Sequence, residues 1–182
     1  MHRVPNIITL LRLLLCLPLF ILFLYQNYLW MLIVYSLQEF MDQADGKIAI
    51  LFHWQTETGK FFDPFVDNVT HMTAFACLLS IQILPLWIFF VIMFREIGLL
   101  FLRLLASLQG TQLGGHLPGK AKALIHAVVI FISFLSLTTN KDNYLFPLNI
   151  WMLIAVGASI LSGLFYIWKY NIILKKAFQG GV

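Results

Sequence analysis

The chain has 182 residues, 60% of them hydrophobic and only 11% charged, with a mean hydropathy of +0.87. Soluble domains are nearer roughly 45–50% apolar and about 25% charged, so a chain of this size cannot hide its apolar surface in a water-soluble core and lipid must cover it. The net charge of +4 comes from basic residues at the ends of apolar runs rather than in a soluble patch, which argues against a nucleic-acid partner.

Apolar stretches of membrane-spanning length predict six helices, at about 7–26, 29–45, 63–83, 86–106, 121–138 and 147–168. The first holds Arg12 and has no small-x-small cleavage site after it, so it reads as a retained helix rather than a signal peptide. Arg12 is expected to snorkel along that helix. Cys16 and Cys77 lie in apolar runs without paired spacing and read as small hydrophobes. Breakers separate the helices: Gln26-Asn27, Gly46 to Gly59, Pro85, Gly110 to Gly119, and Thr139 to Pro147. Irregular backbone is confined to these ends because lipid cannot satisfy unpaired backbone groups. The expected architecture is an all-α polytopic membrane protein forming one domain over 1–182.

The cations orient this bundle. Arg3, Lys47, Lys60, Lys120, Lys122, Lys169, Lys175 and Lys176 share one side with both termini and the 46–62 and 107–120 loops, against Lys141 alone on the other. That bias predicts that both termini and those loops are cytoplasmic, and it favours contact with anionic lipid headgroups.

The eight acidic residues cluster. Asp42 and Asp45 lie at i,i+3 near the end of the second helix, and Asp63 and Asp67 lie at i,i+4 at the start of the third. Each pair shares a helical face. Four carboxylates crowded at a bilayer edge repel one another and are costly to desolvate, and a hard divalent cation with oxygen preference resolves both costs. Gly46 and Gly59 remove side chains where a ligand could approach backbone, and Ala49 keeps the same face small. Ordinary helix termination accounts equally well for each of these three taken singly. Arg103, Lys120 and Lys122 converge on the same end as the aspartates, as cations beside an acidic site must if a substrate carries phosphate. Plain positive-inside anchoring is the alternative for the two lysines. Arg95 belongs with this set or forms an ion pair with adjacent Glu96. Of the histidines, His53 and His116 read as solvated loop residues, while His71 and His126 face the bundle interior or lipid.

Together these residues read Asp42-x2-Asp45-Gly46-x2-Ala49-x9-Gly59-x3-Asp63-x3-Asp67. The pattern resembles the CDP-alcohol phosphotransferase signature D-x2-D-G-x2-A-R-x8-G-x3-D-x3-D. The departure is Ile50, where that family carries Arg. Pro5-Asn6-Ile7-Ile8-Thr9-Leu10-Leu11-Arg12 is similar to the P-N-x-x-T-x-x-R opening of the phosphatidylglycerophosphate synthase branch. Phe62-Asp63-Pro64, Arg95-Glu96-Ile97 with Leu102-Arg103, and Gly119-Lys120-Ala121-Lys122 resemble further segments of that branch, with Asn68 replacing a Lys.

The resemblance implies transfer of a phosphatidyl group from CDP-diacylglycerol to glycerol 3-phosphate, with release of CMP. Asp42, Asp45, Asp63 and Asp67 would bind Mg²⁺ or Mn²⁺, as two ions, and Asp67 would also act as general base. Gly46, Ala49, Gly59, Asn6 and Thr9 would meet the donor, while Arg103, Lys120, Lys122 and Arg95 would meet the acceptor phosphate. A homodimer in a bacterial inner membrane, with its site facing the cytoplasm, is also implied. Two alternatives stay open: a sister enzyme using inositol phosphate, serine or choline, and a non-catalytic membrane protein with a metal-binding acidic cluster.

Overall fold

The computed structural model describes residues 4–52, 57–110, 116–139, 145–171 and 175. Six α-helices follow one another: α1 Val4–Leu24, α2 Tyr28–Leu51, α3 Glu57–Ser80, α4 Leu86–Leu108, α5 Leu117–Thr138 and α6 Leu145–Lys169. All six expected helices are present, but their ends differ most where the acidic residues lie. The apolar pattern of α2 stops at 45 and that of α3 begins at 63, whereas the helices run to Leu51 and from Glu57. Hydrophobicity marks only the lipid-compatible part, and a helix whose backbone bonds are internal continues past it. Gly46 and Gly59 therefore lie within helices rather than in a long connection. An interior glycine costs about 1 kcal/mol relative to alanine, too little to end either helix.

The turns are tight. After α1 the chain reverses through Gln26 at φ 55°, with the Asn27 N–H donating to the Leu22 carbonyl at 2.9 Å. After α3, Gln82 takes φ 61°, the Ile83 N–H reaches back to the Leu78 carbonyl at 3.0 Å, and Pro85 caps α4. Both reversals use the left-handed residue that closes many helix C-termini.

Helix α1 packs on α2 and α3, α5 packs on α2 and α6, and α4 leans mainly on α6. The shared core includes Tyr35, Phe75, Ile92, Phe134 and Met152, with Tyr35 and Phe134 edge to face at 5.5 Å. A second, smaller cluster joins Leu99, Leu102 and Ala106 of α4 to Tyr166 of α6. Polarity is inverted relative to a soluble bundle. Leu14, Leu17, Trp30, Phe94, Leu161 and Trp168 are exposed, while Arg12, Gln38, Asp45, Glu96, Lys122 and His126 are buried. Such inward-facing ionisable groups belong to a bundle that presents its apolar faces to lipid.

Helices α1, α5 and α6 are long and apolar enough to cross a membrane by length and composition, over Asn6–Leu24, Leu117–Thr138 and Leu148–Lys169. Helices α2 and α3 carry the acidic pairs, and α4 carries Arg95, Glu96 and Arg103 within an otherwise apolar span.

Candidate active site

At one end of the bundle, α1, α2 and α3 bring the four aspartates round two side chains of the first helix. Thr9 and Arg12 stand one turn apart on α1, and both are fully buried. The Thr9 hydroxyl lies 2.9 Å from Asp63 Oδ1 and 3.2 Å from Asp45 Oδ2, so its single proton is shared between carboxylates of different helices. The Arg12 guanidinium pairs with Asp42 through Nη1, with Asp45 at 3.9 Å, and through Nη2 with Asp67 at 3.7 Å. Gln38 fixes the register of α1 on α2 by donating to the Arg12 carbonyl at 3.0 Å.

This corrects the expectation that Arg12 snorkels. Its side chain turns inward because three carboxylates repay the desolvation that lipid would leave uncompensated. Thr9 and Arg12 are thus the internal support of the acidic pairs, and Arg12 is a site residue that sequence reasoning missed.

The oxygen-only donor set of Asp42, Asp45, Asp63 and Asp67 suits a hard divalent cation. One guanidinium leaves most of its negative charge unbalanced. Among the described residues no three His, Cys, Asp or Glu side chains form a ready-made ligand group, because the aspartates turn towards Arg12 and Thr9. Asp45 is buried at 4% exposure, whereas the Asp42 and Asp67 side chains are partly open, at 39% and 25%. Asp42, Asp63 and Asp67 line a cavity of about 230 Å³ whose far wall is basic, with Arg95, Arg103, Lys120 and Lys122.

The basic wall is not a set of four free cations. Arg95 Nη1 donates to both Glu96 oxygens at 2.9 Å, and its Nη2 donates to Ser162 Oγ of α6 at 2.9 Å. Lys122 Nζ sits 2.6 Å from Glu96 Oε1, with both side chains buried. Of the two readings of Arg95, the ion pair is the one observed, and Glu96 holds Lys122 as well. Arg103 pairs with no carboxylate among the described residues, and Lys120 is exposed at the start of α5.

The remaining expected site residues lie nearby. Gly46 faces open space, where an added Cβ would meet nothing within 4 Å. Gly59 is buried in the first turn of α3, and Asn6 is half-buried one turn before Thr9. The side chains of Ala49 and Ile50, together with His53, lie outside the described residues.

Three histidines also have definite places. His71 Nε2 lies 3.1 Å from Glu39 and 3.9 Å from Asp67, so it sits directly behind that carboxylate. His126 is buried and reaches Ser159 Oγ at 2.8 Å. His116 is not a solvated loop residue. Its ring meets the Tyr170 hydroxyl at 2.6 Å, because the aromatic end of α6 folds against it.

An acidic cluster facing a basic cavity across the helices of an apolar bundle suits a membrane protein whose ligand carries phosphate. The sequence matches the CDP-alcohol phosphatidyltransferase family over residues 2–165, and the chain belongs to that family. It is 31% identical to a CDP-diacylglycerol–glycerol-3-phosphate 3-phosphatidyltransferase of Pseudomonas fluorescens, over 96% of this chain and 90% of that protein. It is 28% identical to the Bacillus subtilis protein of the same name, over 93% and 94%. A Treponema pallidum protein of that name is 34% identical over 52% of this chain, a stretch that spans 44% of the Treponema protein.

Proposed function

We propose that this protein transfers the phosphatidyl group of CDP-diacylglycerol to glycerol 3-phosphate, forming phosphatidylglycerophosphate and releasing CMP. The observation that carries this is the juxtaposition, in one cavity, of Asp42, Asp63 and Asp67 with Arg103 and Lys120. The acidic wall suits a metal-bound diphosphate, and the basic wall suits a phosphorylated alcohol. The similarity to Pseudomonas and Bacillus proteins named for this reaction supports the same acceptor.

Asp42, Asp45, Asp63 and Asp67 would hold Mg²⁺ or Mn²⁺, as two ions. Bound divalent metal supplies charge neutralisation for the diphosphate and for the departing CMP. Arg12 and Thr9 hold the two acidic pairs in register. Asp67 is the general base: it takes the proton of the acceptor's 1-hydroxyl as that oxygen forms a bond to the phosphatidyl phosphorus. The bond from that phosphorus to the CMP oxygen breaks in line, and CMP carries away the electron pair. Gly46, Ala49, Gly59 and Asn6 border the donor, with open backbone at Gly46 for the nucleotide.

All six helices cross the membrane, with both termini and the cavity on the cytoplasmic side, because the lysines gather at that end. A bacterial inner membrane and a homodimer follow the family resemblance.

The test is acceptor-dependent CMP release by the purified protein with CDP-diacylglycerol, Mg²⁺ or Mn²⁺, and a panel of alcohols. Glycerol 3-phosphate should be the preferred acceptor. A preference for inositol phosphate, serine or choline would reassign the acceptor, and no CMP release with any alcohol would leave a metal-binding protein without this activity.

A further inference from the structure

One polar group of α6 reaches the cavity. Tyr166 is 2% exposed and lines the same space as Asp67, Arg103 and Lys120. Its ring is fixed by stacking on Tyr170, with centroids 6.0 Å apart and an 18° interplanar angle, and by edge-to-face contact with Phe165 at 5.8 Å. Its hydroxyl oxygen accepts the His116 backbone N–H at 3.3 Å. No acceptor for its own proton occurs among the described residues.

The chain makes room for this hydroxyl. A Cβ at Gly119 would stand 2.7 Å from it, so the start of the Gly119-Lys120-Ala121-Lys122 segment is shaped around Tyr166. The ring nitrogens of His116 are occupied as well. Lys169 Nζ lies 3.4 Å from Nδ1, and the Tyr170 hydroxyl lies 2.6 Å from Nε2. These contacts hold the Tyr166 ring in place, with its own hydroxyl proton left to give.

That donor stands where donors are scarce. Glu96 holds both Arg95 and Lys122, which leaves Arg103 and the exposed Lys120 as the wall's cations without a carboxylate partner among the described residues. We propose that Tyr166 is a substrate-binding residue of the acceptor subsite, its hydroxyl donating to the phosphate of glycerol 3-phosphate beside the Arg103 guanidinium. This rests on the proposed function. Arg103 supplies the charge, and the preorganised phenol supplies direction without loss of rotamer freedom on binding.

The test is Tyr166→Phe, which keeps the ring and its stacking. A hydrogen bond to a charged group contributes about 1.5–3 kcal/mol, so the KM for glycerol 3-phosphate should rise roughly tenfold or more. The Ki of inorganic phosphate, competitive against that acceptor, should rise in parallel, while kcat and the KM for CDP-diacylglycerol stay within about twofold. Gly119→Ala should weaken acceptor binding by displacing the same hydroxyl, and combining it with Tyr166→Phe should add little. Unchanged acceptor KM and phosphate Ki in Tyr166→Phe would overturn the proposal. So would equal rises in both substrates' KM, or a loss of acceptor binding in Gly119→Ala that Tyr166→Phe does not share, since each makes Tyr166 a prop for the turn. If the wild-type protein releases CMP only with an unphosphorylated alcohol, the proposed function fails and this subsite fails with it. If the wild type uses glycerol 3-phosphate and Tyr166→Phe is indifferent, only the subsite fails.

Discussion

The two charged centres of the bundle are built as opposites. Between α1, α2 and α3 a buried cation, Arg12, is surrounded by Asp42, Asp45 and Asp67. Between α4, α5 and α6 a buried anion, Glu96, is surrounded by Arg95 and Lys122. Each centre offsets the cost of taking charge out of water by caging it in the opposite sign. They differ in what is left over. The acidic centre keeps excess negative charge opening on the cavity through Asp42 and Asp67, and among the described residues the basic centre keeps Arg103 and Lys120. The acidic side thus suits a multivalent cation, while the basic side is a nearly neutral scaffold that would present one or two cations to an anion.

Removing metal breaks this comparison most severely. Chelation should abolish CMP release, because the excess charge at the acidic centre then repels the donor diphosphate; addition of Mg²⁺ or Mn²⁺ should restore it, and Ca²⁺ titration would report whether size matters. Turnover that persists in chelator would mean that Arg12 alone suffices.

The next largest effect is on folding. Glu96→Ala leaves Arg95 and Lys122 uncompensated in the bundle and should cost about 3–5 kcal/mol, read as a lower thermal midpoint in detergent whether or not metal is present. Glu96→Gln keeps one acceptor oxygen between Arg95 and Lys122 and should cost less. Equal stability of the Ala variant and the wild type would show that the basic centre is solvated.

Arg12→Gln sharpens the contrast, because its effect should depend on metal. Without the guanidinium, the carboxylates repel, and the midpoint should fall in chelator. Saturating Mn²⁺ should recover it, since a ligand at about a hundred times its Kd stabilises by roughly 2.7 kcal/mol. The same fall in both conditions would make Arg12 a packing residue only. The smallest effect is expected at exposed Lys120. Its replacement by Ala should raise the glycerol 3-phosphate KM by about two- to fivefold, as befits an exposed ion pair of up to about 1 kcal/mol, and should leave stability unchanged.

Much of this was legible in the sequence, because hydrophobic run length marks helices and carboxylate spacing marks a shared face. The six helices and the two aspartate pairs follow from those two signals, while the basic residues opposite them were placed by the six-helix topology and the family resemblance. The lengths of α2 and α3 did not, since polar helical turns past 45 and before 63 look like loop. Nor did the place of Arg12. Its partners lie on other helices, at sequence distances where local spacing carries no information, so an arginine in an apolar run reads as a snorkelling one. Glu39 and His71 were missed for the same reason. The division of the basic residues was half visible: Arg95 and Glu96 are neighbours in sequence, but the buried Lys122–Glu96 pair joins α5 to α4. Tyr166 gave no signal, being one aromatic in an aromatic-rich apolar helix.

In the proposed function this cavity performs phosphatidyl transfer to glycerol 3-phosphate, with Asp67 as base. The most direct measurement is CMP release from CDP-diacylglycerol by wild-type and Asp67→Asn protein, with parallel measurement of donor binding. The wild type should release CMP only when glycerol 3-phosphate is present. Asp67→Asn should bind the donor comparably while turning over about 10²–10⁴-fold more slowly, the usual worth of a positioned base. Near wild-type CMP release by Asp67→Asn, or wild-type release indifferent to the acceptor, would contradict the account.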